Sequence, residues 1–275
     1  MKKIIACTDF SNNAKVAVDY AFALAQYYKA ELVLIHSYLV PVPVSEVPPS
    51  TEMFEQAKQT AEEYINKLKE ELQLKNIAVV PITIYIENEN LLLCLQEYCK
   101  KNNPDLVVLG TRGQRDIVDV LVGSNTMKLI NHLTYPLFVV PACAKFNPFK
   151  KIGFACDFEK VVETTPVDLI KELVEDFNAE LFVLNVDYQN KHFTAETPEE
   201  SMLLDHLLFK LKPRYQFLEG KDMPSTIDEF AQKNGLDLLI TIPKTHVFFE
   251  RFFKGTHTRQ LIYHTHIPLL CVHEK

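Results

Sequence analysis

Glycine is scarce in this chain, with seven residues in 275. Paired cysteines are absent. The six cysteines stand at 7, 94, 99, 143, 156 and 271, and no two form a CxxC. At this density they do not make a disulfide scaffold, and they suit a reducing, cytoplasmic setting. Excess positive charge is absent too. The net charge is −7, which argues against a nucleic-acid-binding face. Nowhere does an apolar run reach the roughly 18 residues of a membrane span. MKKIIACTDFSNN opens with two lysines but has only a short apolar run before Asp9, so no signal peptide and no membrane attachment are expected. What is present is ample apolar content, 47 %, and about twice the length of a common domain.

The chain repeats itself. KKIIACTDF at 2–10 returns as KKIGFACDF at 150–158, so Asp9 falls on Asp157. KNNPDLVVLG at 101–110 returns as KNGLDLLITI at 233–242. The second match runs on without a gap, pairing Gly123 with Gly255, Ser124 with Thr256 and Pro136 with Pro268. This reads as two tandem copies, 1–146 and 147–275, joined near PACAKFNPFK.

Each copy alternates apolar strand-type runs with amphipathic helix-type segments. In copy one, IIAC (4–7) is a strand. A helix capped by Ser11 follows, then the strand ELVLIHSY (31–38) and a proline-rich loop (41–50). TEMFEQAKQTAEEYINKLKEEL (51–72) is a long helix, IAVVPITIYI (77–86) a strand, NLLLCLQEYCKK (90–101) a helix and DLVVLG (105–110) a strand. SNTMKLINHL (124–133) and PLFVVP (136–141) close the copy as helix and strand. Runs such as LVVL and LFVV suit strands buried on both faces. The expected fold is α/β with a parallel sheet and right-handed crossovers. Copy two repeats the order, with helices expected near 162–177, 199–210 and 224–234.

Three of the seven glycines fall in GTRGQRDIVDVLVGS, at 110, 113 and 123. One reading is a plain turn followed by a helix cap. The other is a phosphate loop: the stretch lies where ligands bind in open parallel sheets, and the helix opening at Gly123 and Ser124 would present N–H groups to an anion. Gly110 and Gly113 would then allow positive φ or a close ligand approach. Arg112 and Arg115 are either solvated or phosphate contacts.

The spacing G-x2-G-x9-G-[ST], carried by Gly110, Gly113, Gly123 and Ser124, resembles the nucleotide-binding signature of the universal stress protein family. The order of elements, Asp9 after the first strand and the closing YPLFVVP agree with that family in a tandem form. The resemblance implies two Rossmann-like domains of adenine-nucleotide hydrolase-like topology. It implies that Gly110, Gly113, Gly123, Ser124 and the backbone of Asn125 hold the phosphates and ribose of ATP or a related adenine nucleotide. Asp9 would lie near the nucleotide or its Mg²⁺, although the residue serves equally as a helix cap. His36 and Ser37 would offer backbone groups to adenine. The family's G-x-P after the third strand is missing from IENENLL, which leaves part of the pocket wall unmatched.

Copy two keeps little of this. Ile242 stands opposite Gly110 and Thr245 opposite Gly113, both β-branched and poor at φ > 0. One nucleotide per chain is the expectation. Phe248, Phe249, Phe252 and Phe253 form a helical stripe that covers the domain's own surface, the vacant pocket or a neighbour. His257, His264, His266 and His273 read as late cations on a helix rather than a metal site. Cys94 and Cys99 are not neighbours on their helix and read as plain thiols.

The function expected is a cytoplasmic stress-response or signalling protein that binds an adenine nucleotide in its N-terminal half. Its protein partner is not named by the sequence. The closing strands, 136–141 and 268–273, would let the two copies pair within the chain like a symmetric dimer, and a further homodimer is compatible. The alternative is an interaction scaffold without nucleotide. A dedicated enzyme is disfavoured by the lack of a Walker lysine or a recognisable catalytic constellation; slow ATP turnover is left open.

Overall fold

The computed structural model describes residues 1–40, 50–75, 77, 79–111, 124–188, 197–220, 223–243 and 267–273. The chain divides into two units near residue 142.

In the first unit the strands are β1 (Lys3–Cys7), β2 (Glu31–Ser37), β3 (Ile82–Glu87), β4 (Leu106–Gly110) and β5 (Leu137–Val140). The helices are α1 (Asn12–Tyr28), α2 (Thr51–Leu74), α3 (Leu91–Asn102) and α4 (Ser124–His132). The strand order is β3-β2-β1-β4-β5, and every pair is parallel. The chain thus moves outward from β1 to β3 and returns past it to β4 and β5. Right-handed crossovers then put α1 and α2 on one face and α3 and α4 on the other. α1 packs on β1 and β4, and α3 packs on α4. β4 and β5 are buried along their whole length, as their unbroken apolar runs require.

Local chemistry sets the boundaries. Ser11 caps α1 by accepting from the Ala14 N–H at 3.2 Å, and Asn90 does the same for α3 at the Leu93 N–H. The carboxylate of Asp105 accepts from the N–H groups of Lys2 and Lys3 at 2.6 and 2.8 Å, which clips the start of β1 to the start of β4. β3 begins later than its apolar run predicts. Val79 takes a left-handed φ of 52° and is 82 % exposed. Pro81 has no N–H to give a ladder, though its carbonyl accepts from Leu32.

The second unit holds β6 (Lys151–Ala155), β7 (Glu180–Tyr188), β8 (Arg214–Gly220), β9 (Leu238–Thr241) and β10 (Leu269–Cys271). Their order, β8-β7-β6-β9-β10, is again all parallel. Asp237 repeats the clip by accepting from Lys150 and Lys151 at 2.7 and 2.9 Å. The helix expected over 162–177 is broken in two, α5 (Val161–Thr164) and α6 (Val167–Phe177). Pro166 lies at the break: it lacks the N–H a continuous helix needs and pushes Thr165 into extended backbone. α7 (Thr197–Leu208) packs on α5, and α8 (Met223–Asn234) packs on β7 and β8. No described helix is long and apolar enough to cross a membrane.

Candidate functional site

In an open parallel sheet the ligand crevice opens where the chain reverses direction, here between the carboxyl ends of β1 and β4. Gly110 ends β4 at that place. A Cβ on Gly110 would stand 2.9 Å from the Asn13 carbonyl oxygen in the first turn of α1. Among the described glycines only Gly235 has positive φ. Gly110 is therefore required by the close approach of the protein's own backbone, and a left-handed turn is not the reason. On the other side, the Gly110 carbonyl accepts from the Thr126 hydroxyl of α4 at 3.1 Å. The first turns of two helices thus converge on one strand end. Each brings N–H groups and a partial positive charge.

Ser124 and Asn125 are the first two residues of α4 and are exposed. Gly113, Gly123, Arg112 and Arg115 lie outside the described residues, as do Thr245, the phenylalanine stripe, Gly255, Thr256, His257, His264 and His266.

Asp9 does not cap α1; Ser11 does. The Asp9 carboxylate accepts from the Ser11 N–H at 3.1 Å, and the Thr8 hydroxyl accepts from the Phe10 N–H at 3.0 Å. These bonds hold Phe10 in the left-handed region at φ 63°, a costly place for a large side chain. The ring of Phe10 lies 4.4 Å from that of His36 and 5.4 Å from that of Tyr64.

His36 and Ser37 end β2. His36 Nδ1 is 2.8 Å from the Thr8 carbonyl, so Nδ1 carries the proton and donates. Burial lowers the His36 pKa below its ordinary value, against the opposing pull of the Thr8 carbonyl and the Asp9 charge. The neutral ring keeps a lone pair on Nε2. The Ser37 backbone is still in register with Glu87 of β3.

Sequence reasoning missed Thr126 and the aromatic rings gathered around His36, namely Phe10 and Tyr38, with Tyr64 against Phe10. A signal for Thr126 existed: with Leu129 and Ile130 it forms the i, i+3, i+4 stripe of a core-facing helix, and all three are buried. Cys7, Cys94 and Cys99 are buried thiols. Burial first, then their mutual charge, pushes Cys7 well up and Cys99 to about 12, while burial and nearby glutamates push Cys94 to about 12. They are core residues of low reactivity. Among the described residues no cluster of three metal-binding side chains occurs.

In the second unit the matching strand ends hold a cavity of about 10 Å³, lined by Cys156, Asp157, Asn185, Met223 and Ile227 among others. That is room for about one water molecule.

The sequence model of the Universal stress protein family matches residues 1–141 and again 148–273. The chain is similar to universal stress protein Slr1230 of Synechocystis, with 22 % identity over 98 % of this chain and 99 % of that one. It shares its fold with the crystal structure of a universal stress protein from Archaeoglobus fulgidus (TM-score 0.74, 12 % identity, 99 % of this chain and 98 % of that one). A universal stress protein solved in complex with cAMP matches half of this chain at 19 % identity, 96 % of its own length and a TM-score of 0.39. Two copies of one α/β domain, each matched by the same family, make this chain a tandem member of the universal stress protein family.

Proposed function

We propose that the first copy binds ATP or a related adenine nucleotide, with Mg²⁺, across the carboxyl ends of β1, β2 and β4, and that its occupancy serves stress response or signalling in the cytoplasm. The observation that carries this reading is the convergence of the α1 and α4 first turns on Gly110. Two helix N-termini at a crossover point suit a polyphosphate better than any neutral ligand. In this reading Ser124 gives its hydroxyl and Asn125 its N–H to phosphate. Gly113 and Gly123 let the backbone approach. Asp9 offers the carboxylate that a hard cation takes, and His36 and Ser37 edge the base. No residue is assigned a catalytic role.

The reading is tested by mass spectrometry of the small molecules released when freshly purified protein is denatured, followed by ATP titration. Adenine nucleotide at no more than one per chain is expected, because Ile242 and Thr245 replace Gly110 and Gly113 in copy two. A ratio of two overturns the single-site assignment. Clean protein with no ATP affinity leaves the second reading, a scaffold without nucleotide. One observation favours that second reading: the packing of Asn13 already explains Gly110 without any ligand.

A further inference from the structure

Thr126 is the third residue of α4 and only 3 % exposed. A threonine in a helix ordinarily spends its hydroxyl on a carbonyl of the preceding turn or on water. Here the hydroxyl reaches across to the Gly110 carbonyl, 16 residues back along the chain, through a buried bond of 3.1 Å. On its other face Gly110 lies against the first turn of α1, with the Asn13 carbonyl oxygen 2.9 Å from where a Cβ would stand. The next residue, Thr111, donates its N–H to the Val140 carbonyl of β5 at 3.2 Å. The end of β4 is thus flanked by α1 and tied by hydrogen bonds to α4 and β5, and the bond to α4 is made by Thr126.

We propose that Thr126 is a positioning residue of the nucleotide site. Its hydroxyl fixes the depth at which the first turn of α4 stands beside the sheet, and so aims the N–H groups of Ser124 and Asn125 at one point above Gly110. The proposal rests on the nucleotide reading above. The physical reason is the short range of a helix terminus: its field and its N–H hydrogen bonds act only within the first turn. A small change in the seating of α4 therefore costs phosphate affinity before it costs the fold. Thr126 touches no ligand in this account; it acts through Ser124 and Asn125.

The test is a calorimetric titration of the full-length protein with Mg-ATP, run beside thermal melts. Thr126→Val keeps the shape and deletes the donor. It should bind ATP about tenfold more weakly, the loss expected if a misplaced first turn of α4 gives up about one hydrogen bond to phosphate. Thr126→Ser restores the donor and should bind within about twofold of the unaltered protein. If Thr126→Val lowers the melting temperature but leaves the Kd unchanged, the residue is merely structural and the proposal fails. It fails as well if Thr126→Ser loses as much affinity as Thr126→Val. Should Thr126→Val not fold, Thr126→Ala replaces it, with a tenfold loss supporting the proposal and full affinity overturning it. An unaltered protein that binds no ATP would overturn the nucleotide reading itself, and the two failures are thereby distinguished.

Discussion

At the end of β4 the first copy carries Gly110; just past β9 the second carries Ile242, only 7 % exposed. The difference extends to the helix that faces this place. In the first copy α1 runs unbroken from Asn12 and its first turn lies against Gly110. In the second copy Pro166 divides the matching segment into α5 and α6, and α5 packs on α7. Glycine and continuous helix go together in one copy, isoleucine and broken helix in the other. What is shared is equally informative. Asp157 accepts from the Glu159 N–H at 3.1 Å, as Asp9 does from Ser11. Phe158 takes the left-handed φ of 55° that Phe10 takes at 63°. Asn185 donates to the Cys156 carbonyl at 2.9 Å, as His36 does to that of Thr8. The turn after the first strand is framework, common to both copies. The glycine strand end belongs to one copy alone.

The strongest way to break this contrast is to give the first copy the second copy's residue. Gly110→Ile drives a side chain into the Asn13 carbonyl and should cost about 3 kcal/mol by overpacking, read as a fall in the urea midpoint. ATP binding should be lost with it. A cost near zero would mean that α1 shifts freely and that glycine is not what holds it there.

A smaller and symmetric effect is expected at the clips. Asp105→Ala removes two charge-assisted hydrogen bonds at an exposed site, with a cost of about 1.5 kcal/mol. Asp237→Ala should cost the same to within about 0.5 kcal/mol. Amide hydrogen exchange in β1 and β6 reads each copy separately. Unequal losses would show that the two clips do not share one role.

The smallest effect concerns pH. Burial lowers the His36 pKa, so the unfolded chain takes up a proton first, near the ordinary value of 6.5. The neutral ring costs nothing above that pH. Stability falls as pH drops through 6.5 and levels off below the lowered folded value. His36→Asn installs the residue that the second copy uses for the same bond, and removes the titration. Melting temperatures at a series of pH values should show a shallower acid slope in the variant than in the unaltered protein. Identical slopes would remove His36 from the acid response.

Much of the frame was legible before any coordinates. Ser11 as a cap follows from its place before a helical pattern, and the buried strands follow from LVVL and LFVV. The late start of β3 was missed because apolar content at 77–80 outweighed Pro81, although a proline limits what can precede it in a ladder. The break at Pro166 had a signal of the same kind, which the repeat with copy one obscured. At the candidate site the glycine spacing singled out the end of β4; positive φ at Gly110 was one use expected of it, and the structure shows the Asn13 carbonyl crowding that place without positive φ.

What the sequence by itself determined is the local and the periodic: two copies, the alternation of strands and helices, the caps, and the loss of glycines in copy two. These depend on hydrogen bonds between near neighbours and on repeating burial, both written in consecutive residues. What only the tertiary structure decided is which distant atoms meet. The Asn13 carbonyl against Gly110, the Thr126 hydroxyl on the Gly110 carbonyl and the His36 proton on the Thr8 carbonyl each join separate elements. Such pairs depend on strand order, on crossover hand and on side-chain direction together, and no run of neighbouring residues encodes all three.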